Sequence, residues 1–323
     1  MVLFCSMKAA TIRRVDRWLG VPACAVLTLW RRLFDRRRGT SPVRRILFLK
    51  LVEQGATVLA YPALRRAVER VGADNVFFMV LEENRPILDM LGIVKPENVI
   101  SIPKGGLFTT LRGLLAAVTR ARRERIDSVL DFELFARSSA VLAYLTGADR
   151  RVGYHAYNGD GPWRGDLLTH RLVYSPQVHT LRAMLAQTEA LWLDPAGLPA
   201  LGIDAASFDE SIVRFRPDEA EAAEVRRTLR ELAGGREPRS LVLLNANASD
   251  LIPLRKWEGD RYVSLARRLL ADDPDLTIAF TGAPAEAAPI DALVKQVGDP
   301  RCVSMAGKTT MRQLIVLFTL ADV

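Results

Sequence analysis

Cysteine and histidine are scarce in this chain of 323 residues, with three of each. Cys5, Cys24 and Cys302 make neither a disulfide framework nor a metal-ligand spacing, which suits a reducing cytosol. His155, His170 and His179 are too scattered to suggest a metal centre. No G-x-G-x-x-G follows any strand-like run, so a dinucleotide-dependent oxidoreductase is disfavoured. Acidic surplus is also missing: the net charge is +8. That charge is not spread over the chain. Residues 1–45 hold eleven Lys/Arg against Asp16 and Asp35, so 46–323 carry a net −1. A nucleic-acid face would be distributed over the fold, and no nucleic-acid partner is expected.

What is present begins with a basic amphipathic extension, residues 1–40. Its apolar stretch "WLGVPACAVLTLW" (18–30) is flanked by arginines and interrupted by Pro22. Thirteen residues are too few for a ~30 Å hydrocarbon core. Tryptophans at both ends and cationic flanks suit the plane of an anionic membrane surface. Two other readings stay open: a signal-like segment, although "RRLFDRRRG" stands where a cleavage site belongs, and a helix that packs on the body or is disordered.

With 49% hydrophobic and 25% charged residues, the rest is globular and long enough for two domains. Apolar runs at 45–51, 75–81, 98–102, 127–132 and 150–154 alternate with helical patterns at 57–71, 86–92, 107–125 and 136–146. This predicts parallel βαβ units. The arginines of 107–125 mark a solvated face or add to a membrane-facing charge. Residues 155–178 are rich in Gly, Pro and aromatics and read as a long loop, before a helix at 179–193. A second α/β pattern has helices at 217–233, 259–271, 286–297 and 310–320, and strands at 240–246, 276–282 and 302–306. The expected fold class is therefore α/β, with two Rossmann-like parallel-sheet domains. The divisions are 41–194 for the first domain, 195–216 for a linker and 217–323 for the second. The chain stops at "LADV", where another strand should begin, so the second domain reads as cut off.

Ligands of such sheets sit beyond the carboxyl ends of the strands, at "EQGAT", "ELFARSS", "NANASDLIPLRKW" and "TGAPAE". Two other motifs fail. "AGKTT" (306–310) lacks the first P-loop glycine, and Thr309 or Thr310 better serves as a helix cap. "ADDPD" (271–275) lies at the amino end of a strand and reads as a surface turn.

"LVLLNANAS", "RKW", "FTGAPAE" and "MAGKTTMRQL", in this order and spacing, resemble glycosyltransferase family 9, the heptosyltransferases of lipopolysaccharide core synthesis. "ILFLKL…QGATVLAYPALRRA", "DSVLDFELFARSSAVLAYLTGADRRVGY" and "HTLRAMLAQTEALWL" extend the resemblance over about residues 45–323. It implies a GT-B-like fold, in which the two Rossmann-like domains face a cleft, and metal-independent, inverting transfer of a heptose-like sugar, with no cofactor. The implied partners are a nucleotide-sugar donor of the ADP-heptose kind and a lipid-linked saccharide acceptor, met at the cytoplasmic face of the inner membrane. The family places a catalytic aspartate after the glycine of the first turn. Here the turn is Gly55, Ala56 and Thr57, with alanine at the aspartate position. Glu53 is the nearest carboxylate and the first candidate for the base. A purely structural turn, with Glu53 as a solvated or capping residue, is the second reading, and another carboxylate such as Asp131 or Glu133 is the third. A base must lie within ~2.6–3.2 Å of the acceptor hydroxyl, and cations and N–H groups must receive the leaving diphosphate. The resemblance assigns the diphosphate to Arg255 and Lys256, with Ser249 as a further donor. It assigns the nucleoside to Glu286 beside Gly282. Surface charge for the cations and a helix N-terminal glutamate favoured by the dipole for Glu286 are the plainer alternatives. Trp257 reads as packing. The family's Asp–small–Gly signature would fall just after Val323. A homologue that binds nucleotide or glycan without turnover is the alternative function.

Overall fold

The computed structural model describes residues 16–35, 39–157, 162–198, 208–247 and 256–323. The chain divides into two compact units, Met1–Val213 and Arg214–Val323.

The first unit is built on six parallel strands: β1 (Ile46–Leu49), β2 (Val76–Leu81), β3 (Val99–Ile102), β4 (Ser128–Asp131), β5 (Arg150–Tyr157) and β6 (His170–Tyr174). Their order is β3-β2-β1-β4-β5-β6. Every residue of β1, β2 and β4 is buried, as continuous apolar runs require when helices cover both faces of a parallel sheet. The two-residue period of a strand sorts these side chains between two layers. Ile46 and Phe48 face the core beneath α2 (Gln54–Leu59), α3 (Tyr61–Val71), α4 (Arg85–Leu91) and α7 (Thr180–Glu189). Leu47 and Leu49 face Ala117, Val118 and Ala121 of α5 (Leu107–Arg123) and Leu142 and Ala143 of α6 (Arg137–Leu145).

Two readings of this unit need correction. The segment 155–178 is not one loop: β5 runs on to Tyr157, and 170–174 form the edge strand β6, pairing Val152 with His170 and Gly153 with Arg171. The helical pattern at 57–71 is two helices broken at Ala60, with Pro62 in the first turn of α3, where its missing N–H costs nothing.

The same holds for Pro22, which starts the helix α1 (Val21–Phe34) rather than interrupting it. One stripe of α1 is docked on the unit. Cys24 packs with Ala140, Tyr144 and Leu167. Thr28 Oγ1 accepts from the Asp166 N–H at 2.8 Å, and Arg31 Nη1 donates to the Asp166 carbonyl at 2.7 Å. Just before the helix, Asp16 receives the Arg137 N–H and a guanidinium hydrogen bond at 2.6 Å. Gly165 makes this contact possible. Its φ is +66°, and a Cβ there would stand 2.3 Å from Thr28 Oγ1. The opposite stripe of α1 is exposed and apolar.

The second unit has three parallel strands, β7 (Ser240–Asn245), β8 (Leu276–Thr281) and β9 (Cys302–Ser304), in the order β7-β8-β9. Helices α9 (Gly259–Asp272) and α10 (Ala287–Val297) cover one face, and α8 (Glu219–Leu232) and α11 (Met311–Leu320) the other. At the other edge of β7, the Asp322 N–H donates to the Leu241 carbonyl and the Leu243 N–H to the Val323 carbonyl, both at 2.9 Å. Thr310 caps α11 through the Gln313 N–H, and Asp273 receives the Asp275 N–H in a surface turn.

Candidate active site

In the first sheet the strand order reverses between β1 and β4, and ligands of doubly wound sheets collect beyond the carboxyl ends at such a point. Leu49 is registered with Asp131, so the residues leaving both strands meet there. Lys50, the first residue after β1, is buried with its ammonium 2.6 Å from Glu53 Oε2 and 3.3 Å from Glu133 Oε2. The other oxygen of Glu133 accepts the N–H groups of Leu51 at 2.6 Å and Val52 at 3.2 Å. Burial pushes the Glu133 carboxyl up from its ordinary value, while Lys50 and these N–H groups pull it back.

Behind this pair lies a second one. Asp131 meets Arg164 with both side chains fully buried, and Ser139 Oγ lies 2.9 Å from Asp131 Oδ2. Arg164 also donates to the Tyr154 carbonyl at 2.7 Å, and the Glu133 N–H donates to Asp131 Oδ1 at 3.1 Å. Burial raises the Asp131 carboxyl, opposed by Arg164 and Ser139. Asp131 and Glu133 are thus both enclosed and committed to internal partners. Glu53 differs, because its side chain is 68% exposed.

The turn itself is not made by glycine. Glu53 holds φ +70°, while Gly55 is the second residue of α2 and a Cβ on it would meet nothing within 4 Å. Left-handed backbone in a non-glycine residue is costly and tends to gather at functional sites. Among the described residues only Glu53, Arg125 and Phe135 show it, and Glu53 and Phe135 follow β1 and β4. The Thr57 N–H, at 3.1 Å, and the Thr57 hydroxyl, at 3.3 Å, both donate to the Glu53 carbonyl, so Thr57 is buried as the brace of the turn. Ala56 is half-buried against the core.

In the second unit, the loops after all three strands converge on Gly282. A Cβ there would lie 2.8 Å from Asn247 Nδ2 and 3.3 Å from both Ala306 Cβ and Glu286 Oε2. The Gly307 N–H donates to the Gly282 carbonyl at 3.0 Å. Glu286 stands at the start of α10 and receives the Ala283 N–H at 2.7 Å. Lys256 is exposed, and Trp257 packs edge-on to Tyr262. Ser249 and Arg255 lie outside the described residues.

A scan against family models matches residues 116–323 to glycosyltransferase family 9 (heptosyltransferase). The chain belongs to that family. The fold agrees. The Escherichia coli ADP-heptose lipopolysaccharide heptosyltransferase II is similar with a TM-score of 0.62 at 16% identity, covering 86% of this chain and 77% of that one. A family 9 glycosyl transferase from Veillonella parvula has a TM-score of 0.62 at 14% identity, covering 88% and 76%. The E. coli heptosyltransferase WaaC, solved with ADP, has 0.53 at 17%, covering 84% and 77%. No curated protein matches. These family 9 relatives share the α/β architecture of parallel sheets expected of a GT-B-like fold.

Sequence reasoning missed Lys50, Arg164 and Ser139. A lysine directly after four apolar strand residues is a usable signal for the first. Arg164 and Ser139 have none, since they meet Asp131 only through the fold.

Proposed function

We propose that this family 9 protein moves a heptose-like sugar from a nucleotide-linked donor to a hydroxyl of a lipid-linked saccharide. The displacement is single, inverting and metal-independent, and it takes place at the cytoplasmic face of the inner membrane. Residues 41–194 serve the acceptor and 217–323 the donor, joined by 195–216. The observation that carries the reading is the exposed carboxylate of Glu53 at the switch point, held 2.6 Å from Lys50 while Asp131 and Glu133 are enclosed.

In this reading Glu53 takes the proton of the attacking hydroxyl. Gly55 leaves open space beside it for the acceptor. Lys256, with Ser249 and Arg255, neutralises the charge that grows on the leaving diphosphate. Gly282, where a Cβ would crowd Asn247, Ala306 and Glu286, lets the nucleoside approach the backbone, and Glu286 binds it while capping its own turn. The ADP present with WaaC supports an adenine nucleotide as the first donor to try. The membrane location is supported by the exposed apolar stripe of α1; among the described residues no helix is long and apolar enough to cross a membrane.

A second reading has one observation in its favour. Ala56 fills the family's aspartate position with a methyl group, which suits binding of nucleotide or glycan without turnover. The two are separated by incubating the protein and Glu53→Gln with sugar nucleotides and measuring nucleoside diphosphate release. Release that falls by about a hundredfold or more in Glu53→Gln, with donor binding intact, supports Glu53 as base. Donor binding without release by the parent protein establishes the second reading. Undiminished release by the variant removes Glu53.

A further inference from the structure

We propose that the outer faces of α1 and α5 form one docking face for an anionic lipid bilayer, so that the membrane meets a two-helix surface of the first unit rather than a detached N-terminal anchor. The proposal rests on the membrane location given above and specifies the surface that meets it.

The two helices both pack on α6. α5 and α6 pack on the same side of the sheet, and α1 lies on α6 through Cys24. A groove of about 440 Å³ is lined by Leu27, Trp30 and Phe34 of α1, Asp35 just after it, Arg122 of α5, and Tyr144 and Leu145 of α6, so the end of α5 reaches across the end of α6 to the groove beside α1. α5 starts beyond the carboxyl end of β3, and the residues before α1 meet the start of α6 through Asp16 and Arg137. Both helices therefore run from the carboxyl end of the sheet, where Glu53 stands, to its amino end.

Each helix turns apolar side chains away from the protein. On α1 these include Val26, Trp30 and Leu33, with Trp18 just before the helix at 73% exposure. On α5 they are Phe108 at 79%, Leu111 and Leu115, spaced three and four residues apart on one stripe. Apolar surface of this extent on a soluble face marks an interaction site. The charge chooses the partner. The two helices hold six arginines and no carboxylate, and Arg32, Arg112, Arg122 and Arg123 are exposed. A second copy of the chain would set one arginine-rich face against another, which costs free energy. Anionic headgroups neutralise it, and tryptophan suits the headgroup depth. The inner stripe of α1 remains engaged with Gly165 and Asp166, and Asp16 just before it with Arg137, so the helix lies flat on the surface.

The test is sedimentation of the full chain with vesicles of phosphatidylcholine alone or mixed with phosphatidylglycerol, at about 0.1 and about 1 M salt. The parent should bind the anionic vesicles, weakly or not at all the neutral ones, and less at high salt. Phe108→Ser/Leu111→Ser/Leu115→Ser and, separately, Arg112→Gln/Arg123→Gln should each lower the partition coefficient by about tenfold or more. Both should keep the parental melting temperature and donor turnover. An α5 triple variant that binds like the parent overturns the proposal, as does equal binding to neutral vesicles. A concentration-dependent dimer, abolished by the triple variant while the parent stays off vesicles, assigns the face to a second copy and also overturns it. Turnover without vesicle binding would leave the transferase reading standing and end this one; vesicle binding without turnover would do the reverse.

Discussion

Replacing Lys50 by Met removes an ammonium from between two carboxylates with little change in side-chain volume. Lys50 and Glu133 each have 2% of their side chain exposed, so the variant leaves Glu133 enclosed and without its cation. Breaking a buried pair from one side costs about 3–5 kcal/mol. Two features limit the loss: the Leu51 and Val52 N–H groups still reach the carboxylate, and the Glu133 carboxyl, already pushed up by burial, can take a proton. The sign follows from that direction. A carboxyl whose folded pKa is raised above its unfolded value costs stability once pH rises through the folded value, and the cost vanishes below the unfolded one. The deficit of Lys50→Met should therefore be near 3 kcal/mol at about pH 7 and shrink towards pH 5.

Urea unfolding reads this with an internal control, because Lys50 lies in the first unit and a transition belonging to the second should not move. Glu133→Gln keeps an acceptor for the two N–H groups while removing the charge. Lys50→Met/Glu133→Gln should recover most of the loss, with a coupling energy of about 2 kcal/mol. Under the proposed function, Lys50→Met also frees Glu53 from its one 2.6 Å partner, so nucleoside diphosphate release should fall while donor binding is kept. A single variant within about 1 kcal/mol of the parent, or strictly additive losses, would refute the pairing argument.

Gly165→Ala should cost about 1–3 kcal/mol, because its backbone is left-handed and its Cβ would strike Thr28. Cys24 is buried, which pushes its thiol up to about 11, so it should resist alkylation in the parent and become alkylated in this variant, as read by peptide mass; unchanged protection would argue against the docking of α1. His170 is held down to about 4, first by burial and then by Arg150. It stays neutral in the fold while the unfolded chain takes up a proton below about 6.5, so stability should fall by about 3 kcal/mol between pH 6.5 and pH 4. His170→Gln should remove that share of the slope in pH-dependent urea unfolding. Gly282→Ala should lower nucleoside diphosphate affinity about tenfold or more in calorimetric titration, because its methyl group would push apart Asn247, Ala306 and Glu286. Unchanged affinity would remove these loops from donor binding.

The legible parts of this protein are those in which neighbours in sequence are neighbours in space. Ile46–Leu49 reads as a strand because a parallel strand covered on both faces is apolar at every residue. β6 does not, because His170 and Arg171 are polar, Val173 is exposed, and its pairing with β5 rather than its composition makes it a strand. Glycine was the natural candidate for the turn after β1, yet Glu53 takes the left-handed backbone, braced by Thr57 from the next turn of helix. Lys50 and Glu133 are 83 residues apart, and Asp131 and Arg164 are 33 apart. No periodicity links such pairs; only the strand order that sets β4 beside β1 does.

The N-terminal helix lies between these cases. Its tryptophans and arginines proclaim a surface-seeking face, and that face is exposed. Cys24, Thr28 and Arg31 fall three and four residues apart, a second stripe on the same helix. Read for residue size as well as hydropathy, that stripe of small side chains ending in a cation is a packing face. It needed a partner with no Cβ, and Gly165 is the residue that meets it. One helix can therefore be bound to the protein along one side and open to a membrane along the other. Removing residues 1–40 would strip the proposed lipid contact and also uncover Ala140, Tyr144 and Leu167, whereas substitutions confined to the outer stripe separate the two roles.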